Sequence, residues 1–415
     1  MSVAWARGDS PDAHGGTQGA YSGAPAHGSS GGLRARRALA RVNLAAIERN
    51  CKRLRSELVQ GCELCAVVKA DGYGHGAEQS ARAALAGGAT TLAVAGAREA
   101  VELRAAGLKD VAVLVMGALS ELELGEALGA RAEVVVWSAD QVQAVMRCGG
   151  GRVHVKLDSG MGRLGTRDAA EASEVAELAA ASDGVELVGA MTHFATSDDR
   201  AQGFFEQQLR VFEDWARQVK AKHPGVIVHA ANSAAVLREM RAHFDMVRCG
   251  IAIYGMDPFG NDPLAVGLEP ALELLSYVAE VKHCAPGQSA GYGRRFIADN
   301  ETQLGVLPIG YGDGWRRGLS GNADVLVQGH RRPLVGTVSM DNLTIDLGDA
   351  PEAASLRDSE AVLLGAQGEQ RILAEEVAQR LQTINYEVTC GLTARVPRLF
   401  HRDGSLAPPD EQRPA

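Results

Sequence analysis

The chain has 415 residues, enough for two domains or for one barrel with an appendage. Its formal net charge of -9 argues against a nucleic-acid binder, because phosphate binding wants a basic surface. No apolar run approaches the ~18 residues a membrane helix needs, and seven scattered cysteines do not suggest a disulfide scaffold. No basic head followed by an apolar segment opens the chain, so no secretory signal is visible and a cytoplasmic location is the expectation.

Residues 1–33 are rich in Gly, Ala, Ser, Pro and His and hold few large apolar side chains. Such a segment buries too little surface to offset its chain entropy, so a disordered tail is expected there. The basic run from Arg34 to Arg37 marks the edge of the folded part and reads as a solvated face.

From Ala40 onward short apolar runs alternate with amphipathic segments, the pattern of βα units. A first helix is expected over 43–57. Strands follow over 65–70, 91–96, 111–117, 133–138, 153–158, 185–194, 226–232 and 245–250, with helices between them, as at 98–108, 169–181 and 204–222. Eight near-continuous apolar strands separated by helices fit a closed (β/α)8 TIM-like barrel, assigned to 34–267, better than an open sheet. After about Leu268 strand-like segments follow one another with Gly and Pro turns, at 304–312, 323–329, 332–340 and 343–348. A C-terminal mostly-β domain over 268–403 is expected, with one helix around 374–382 and a loose tail over 404–415.

Barrel enzymes place catalytic groups at the C-terminal ends of their strands. Lys69 closes the first strand here, Lys156 the fifth, His193 the sixth, Asn232 and Ser233 the seventh, and Arg248 the eighth. A lysine inside an apolar barrel loses its charge readily and becomes a nucleophile toward an aldehyde. The glycine-rich segment ADGYGHG (70–76) allows close approach of a ligand, and CGIAIYG (249–255) offers backbone N–H groups beside the Ser233 hydroxyl. An aldehyde anchor and a phosphate cradle on one barrel face point to pyridoxal 5'-phosphate (PLP).

Three other patterns carry less. GMGRLG (160–165) satisfies a dinucleotide-binding spacing, but on a barrel strand with no doubly wound sheet. Cys62 and Cys65 form a C-x-x-C without a second pair and read as packing residues. The histidines lack zinc-ligand spacing, so no catalytic metal is expected.

The segments AVVKADGYGHG (66–76), HVKLDSGMGRLG (154–165), MTHFATSD (191–198), VHAANSAA (228–235) and MVRCGIAIYG (246–255) resemble the alanine racemase family. GYG (291–293), IGYGDGW (309–315), VSMD (338–341) and TINYEV (383–388) continue the resemblance in order, over roughly residues 38–400. It implies PLP-dependent interconversion of L- and D-alanine, which supplies D-alanine for cell-wall peptidoglycan. It also implies a homodimer whose sites are completed by the partner's second domain. By the resemblance Lys69 is the Schiff-base lysine and one base, and Tyr292 is the opposite base, delivered from the other subunit. Arg248 meets the pyridine nitrogen; Tyr73, Ser233, Gly250, Ile251 and Tyr386 hold the phosphate; Arg163 lies near the phenolate oxygen. Tyr311 and the N–H of Met340 receive the substrate carboxylate. Lys156 matches a lysine carbamylated in many relatives, and His193, His229 and Asn232 match supporting positions. GYG stands where many relatives have SYG, and Thr337 where some carry arginine. A PLP-binding homeostasis protein would stop near the end of the barrel, and a decarboxylase relative would carry other motifs.

Overall fold

The computed structural model describes residues 36–201, 203–408 and 411–412. The tail expected over 1–33 lies outside the described residues. Eight parallel strands close a barrel: β2 (Glu63–Val67), β3 (Thr91–Val94), β4 (Ala112–Val115), β5 (Glu133–Val136), β6 (Gly151–Lys156), β7 (Val185–Met191), β8 (Ile227–His229) and β9 (Met246–Cys249), with β9 pairing back onto β2. Each coincides with one of the eight apolar runs. The runs are continuous rather than alternating because helices cover the outer face while side chains fill the inner one. β3 and β5 are buried along their whole length.

The helices form where caps and apolar stripes agree. Asn43 caps Leu44–Arg55 by accepting from the N–H groups of Ala45 and Ala46. That helix buries Leu44, Ile47, Cys51 and Leu54 on one face. Phe204–Lys222 matches its expected span and buries Phe205, Leu209, Phe212, Trp215 and Val219. Among the described residues no helix is long and apolar enough to cross a membrane.

Among the described residues the second sheet has eleven strands and is mostly antiparallel. Its order is Glu280–Cys284, Thr302–Leu307, Leu343–Gly348, His330–Val335, Asp324–Val327, Glu360–Gln367, Leu272–Tyr277, then an N-terminal strand β1 (Leu39–Asn43), then Arg398–Arg402 and Ser405–Leu406. Gln370–Ile372 pairs with Glu360–Gln367 off this path.

Three features differ from the sequence reading. β1 precedes the barrel in sequence yet pairs with Leu272–Tyr277 and Arg398–Arg402 across the boundary expected at 267/268. Arg37 is no solvated charge: its guanidinium donates two bonds, at 2.5 and 2.7 Å, to Asp313, whose side chain is fully buried. The tail after 403 starts as a hairpin strand, and Gln412 is tied to Phe400 and Ala407.

Candidate active site

Lys69 is the first residue past the end of β2 and its cap, at the start of a short left-handed turn. Ala70, Asp71, Gly72 and Tyr73 all have φ between 51° and 60°. Gly72 tolerates this freely, but each of the others costs about 1–2 kcal/mol. The surroundings hold the turn in place. The Glu99 carboxylate accepts from the N–H groups of Ala70 (2.6 Å), Ala95 (2.7 Å) and Gly96 (3.2 Å), and Asp71 accepts from Ala77 at 2.9 Å. Strain of this kind, fixed by its neighbours, aims a side chain. The strand reading of 65–70 therefore overran by three residues, because an apolar run does not reveal where φ changes sign.

A cavity of about 420 Å³ opens at this end of the barrel. Lys69, Tyr73, Lys156, Arg163, His193, Asn232, Ser233, Arg248, Gly250, Ile251 and Tyr386 all line it. Its remaining walls are largely apolar, from Val67, Met116, Leu164 and Met191. Tyr73 lies 5.9 Å, ring to ring, from Tyr386 and 5.1 Å from Tyr254, whose hydroxyl donates to the Val67 carbonyl at 3.0 Å. Ser233 Oγ accepts from the N–H groups of Gly250 and Ala252.

The electrostatics favour a neutral amine beside fixed cations. Burial lowers Lys69 from its ordinary value, and Arg163 adds to the effect. Burial, with Arg248 and Arg163 adding, brings Lys156 down to about 8. Burial followed by the Arg248 charge keeps His193 and His229 well below the usual histidine range. Arg248 donates to His229 Nδ1 (2.8 Å), to the carbonyls of Thr192 (2.7 Å) and Ala230 (3.0 Å), and meets His193 Nδ1 at 3.3 Å.

The remaining three candidates lie elsewhere. Tyr292, Tyr311 and Met340 do not line the cavity and are exposed, at 73%, 41% and 51%. One loop gathers them. Thr337 Oγ1 donates to the Tyr292 carbonyl at 2.8 Å, the Tyr311 N–H reaches Ser339 O at 3.0 Å, and the Gly312 N–H reaches Met340 O at 2.9 Å. Asp313, the buried partner of Arg37, accepts from the Gly310 N–H and braces the same turn.

GMGRLG proves to be a loop closed around a side chain. Asp158 accepts from the N–H groups of Gly160 and Gly162, which leaves those donors unavailable to a dinucleotide and turns Arg163 toward the cavity. The seven cysteines are all free.

PLP fits these residues. The cavity joins an amine whose charge burial disfavours, a buried guanidinium, and a hydroxyl at a bare stretch of backbone. The bareness is required, because a Cβ on Gly250 would fall 2.3 Å from the Tyr73 hydroxyl. Gly250→Ala should therefore displace Tyr73 and weaken PLP binding by tenfold or more (about 1.4 kcal/mol). Fluorescence titration of the apo-protein with PLP checks this; unchanged affinity would show that the backbone there is no cradle.

Lys156 carries a pH signature. Between about pH 8 and the ordinary value of 10.5 the unfolded chain holds a proton at this amine that the folded chain lacks. Its contribution to stability therefore rises with pH across that window, by up to about 3 kcal/mol. In carbon-dioxide-free buffer Lys156→Met should flatten this rise, read from urea midpoints taken between about pH 8 and 10.5. An unchanged slope would place the titration on another group.

A closed parallel barrel with a partly buried lysine at its mouth and a buried arginine lining the same cavity fits a PLP-dependent barrel enzyme. Two family models match, the alanine racemase N-terminal domain over residues 42–258 and the alanine racemase C-terminal domain over 271–400. Alanine racemase 1 of Bacillus subtilis is 37% identical over 372 residues, covering 88% of this chain and 94% of that protein. The solved alanine racemase of E. faecalis is similar at a TM-score of 0.81 and 34% identity, covering 88% of this chain and 98% of that one. That of Streptomyces coelicolor gives 0.80 and 36%, covering 88% and 97%. The chain belongs to the alanine racemase family, and PLP is its coenzyme.

Proposed function

We propose that the chain racemises alanine with Lys69 and Tyr292 as opposed bases, in a homodimer where the partner's second domain completes each cavity. The division of the candidates into two clusters carries this reading. The cavity holds an amine whose charged form burial disfavours, while the exposed patch presents a phenol that does not line that cavity.

When bound, PLP supplies an electron sink that makes the substrate Cα–H acidic. Racemisation then needs a base on one face of the Cα and an acid on the other. Lys69 Nζ, poised at the cavity mouth, holds or releases the proton on its side. The Tyr292 hydroxyl does so on the other, and Tyr311 and the Met340 N–H orient the substrate carboxylate. Arg248, whose guanidinium lines the cavity, would meet the pyridine nitrogen of bound PLP. As a group with donors only, it leaves that nitrogen unprotonated and moderates the sink. Tyr73, Ser233, Gly250, Ile251 and Tyr386 hold the phosphate, with Asn232 and His193 supporting. Lys156, brought down to about 8, has a neutral fraction at physiological pH that is able to take up carbon dioxide as a carbamate. Supply of D-alanine for peptidoglycan and a cytoplasmic location belong to the same proposal and rest on the family resemblance.

Subunit mixing tests the dimer. Lys69→Ala and Tyr292→Phe, each inactive alone, should recover activity once they exchange subunits, because one of the two sites in each hybrid is then intact. No recovery despite demonstrated exchange would place both bases on one chain.

A further inference from the structure

TIM barrels fill their interior with layers of apolar side chains. This one carries a polar thread instead. Glu133 opens β5, His154 lies in β6, His229 closes β8 and Arg248 lies in β9. Their residues are between 0% and 5% exposed. Glu133 Oε2 lies 2.8 Å from His154 Nε2, His154 Nδ1 lies 2.8 Å from His229 Nε2, and His229 Nδ1 lies 2.8 Å from the Arg248 guanidinium. At the outer end Arg152 pairs with Glu133 at 2.7 Å. The barrel makes room for this thread. A Cβ on Gly189 would fall 1.8 Å from His154 Nδ1, and the β6–β7 pairing shifts register between Val153 and His154.

The thread has one direction. A guanidinium has donors only, so His229 must present a lone pair at Nδ1 and carry its proton on Nε2. That proton is donated to His154 Nδ1, which leaves the His154 proton on Nε2, donated to Glu133. Both imidazoles are neutral and the carboxylate is the anchor. Burial pushes Glu133 up, but the hydrogen bond from His154 and the charge of Arg152 outweigh it and hold the carboxyl below its ordinary range.

We propose that Glu133 and His154 are positioning residues that act on the PLP ring through His229 and Arg248. An acceptor-only carboxylate at the far end fixes both tautomers, and so keeps Arg248 in one orientation toward the cavity. Isosteric Glu133→Gln removes the constraint, because an amide can donate as well as accept. The chain can then reverse, which sets a His229 N–H against the Arg248 N–H. The inference rests on the reading that Arg248 meets the ring nitrogen.

The test begins with the apo-protein labelled with 15N-histidine, whose long-range 1H–15N correlations report tautomers. The wild type should show His154 and His229 both protonated at Nε2. A wild-type His229 protonated at Nδ1 overturns the proposal, whatever any variant does. Glu133→Gln, shown to fold by an unchanged near-UV spectrum, should show a second tautomer population. It should bind PLP about tenfold more weakly, at the lower end of what loss of a residue orienting a ligand through another costs, and lose kcat with little change in KM. Unchanged tautomers and unchanged PLP affinity in that variant overturn the proposal. Arg248→Ala separates the two readings. If it too leaves PLP affinity unchanged, the ring-nitrogen reading fails; if it weakens binding while Glu133→Gln does not, only the thread's role fails.

Discussion

Lys69→Ala is expected to lose racemisation by at least about 10⁴-fold, because it removes both a covalent anchor and a positioned base. The coenzyme should then bind reversibly, and borohydride treatment should leave no pyridoxyl group on the protein after dialysis. In the wild type the same treatment followed by peptide mapping should place the group on Lys69. The rival is Lys156, which also lines the cavity and is also brought toward neutrality. Burial separates the two. Lys156 is 4% exposed at the end of β6, whereas Lys69 is half-buried on a turn that Glu99 and Asp71 hold in a strained shape. A label found on Lys156 would overturn the assignment.

Tyr292→Phe should also be close to inactive as a racemase, with a loss of about 10²–10⁴-fold or more, the usual worth of positioned acid–base catalysis. The substitution removes one exposed hydroxyl and disturbs little else, since the Thr337 bond goes to the Tyr292 carbonyl. PLP affinity should therefore be unchanged, which distinguishes this variant from Lys69→Ala. Racemisation at near the wild-type rate would remove Tyr292 from the chemistry.

The barrel was legible because strands buried on both faces must be apolar throughout, so EVVV and TLAV announce themselves. The helix Phe204–Lys222 was equally legible, its large apolar residues recurring every three or four positions. The cavity residues were legible as polar groups at the ends of apolar strands, and as motifs. Partnerships across long stretches of chain were not. Nothing near LARVN says that it pairs with segments more than 200 residues away, and nothing near Arg37 reveals that Asp313 is buried beneath it. Glu133 and His154 lie 21 residues apart on separate strands, and only the closed barrel brings them together. The left-handed turn after β2 was hidden for a local reason: KADGY contains a single glycine, and only the surrounding carboxylates make positive φ tolerable at its neighbours.

The central claim is that each face of the substrate Cα has its own base, and one measurement addresses it directly. Tyr292→Phe, loaded with PLP, is incubated in D2O separately with L-alanine and with D-alanine, and proton NMR follows the Cα signal. The enantiomer whose Cα–H faces Lys69 should exchange its proton for deuterium with its configuration retained, while the other stays protonated. Exchange of both enantiomers at similar rates, or exchange accompanied by inversion, would mean that a single group serves both faces and would contradict the two-base account.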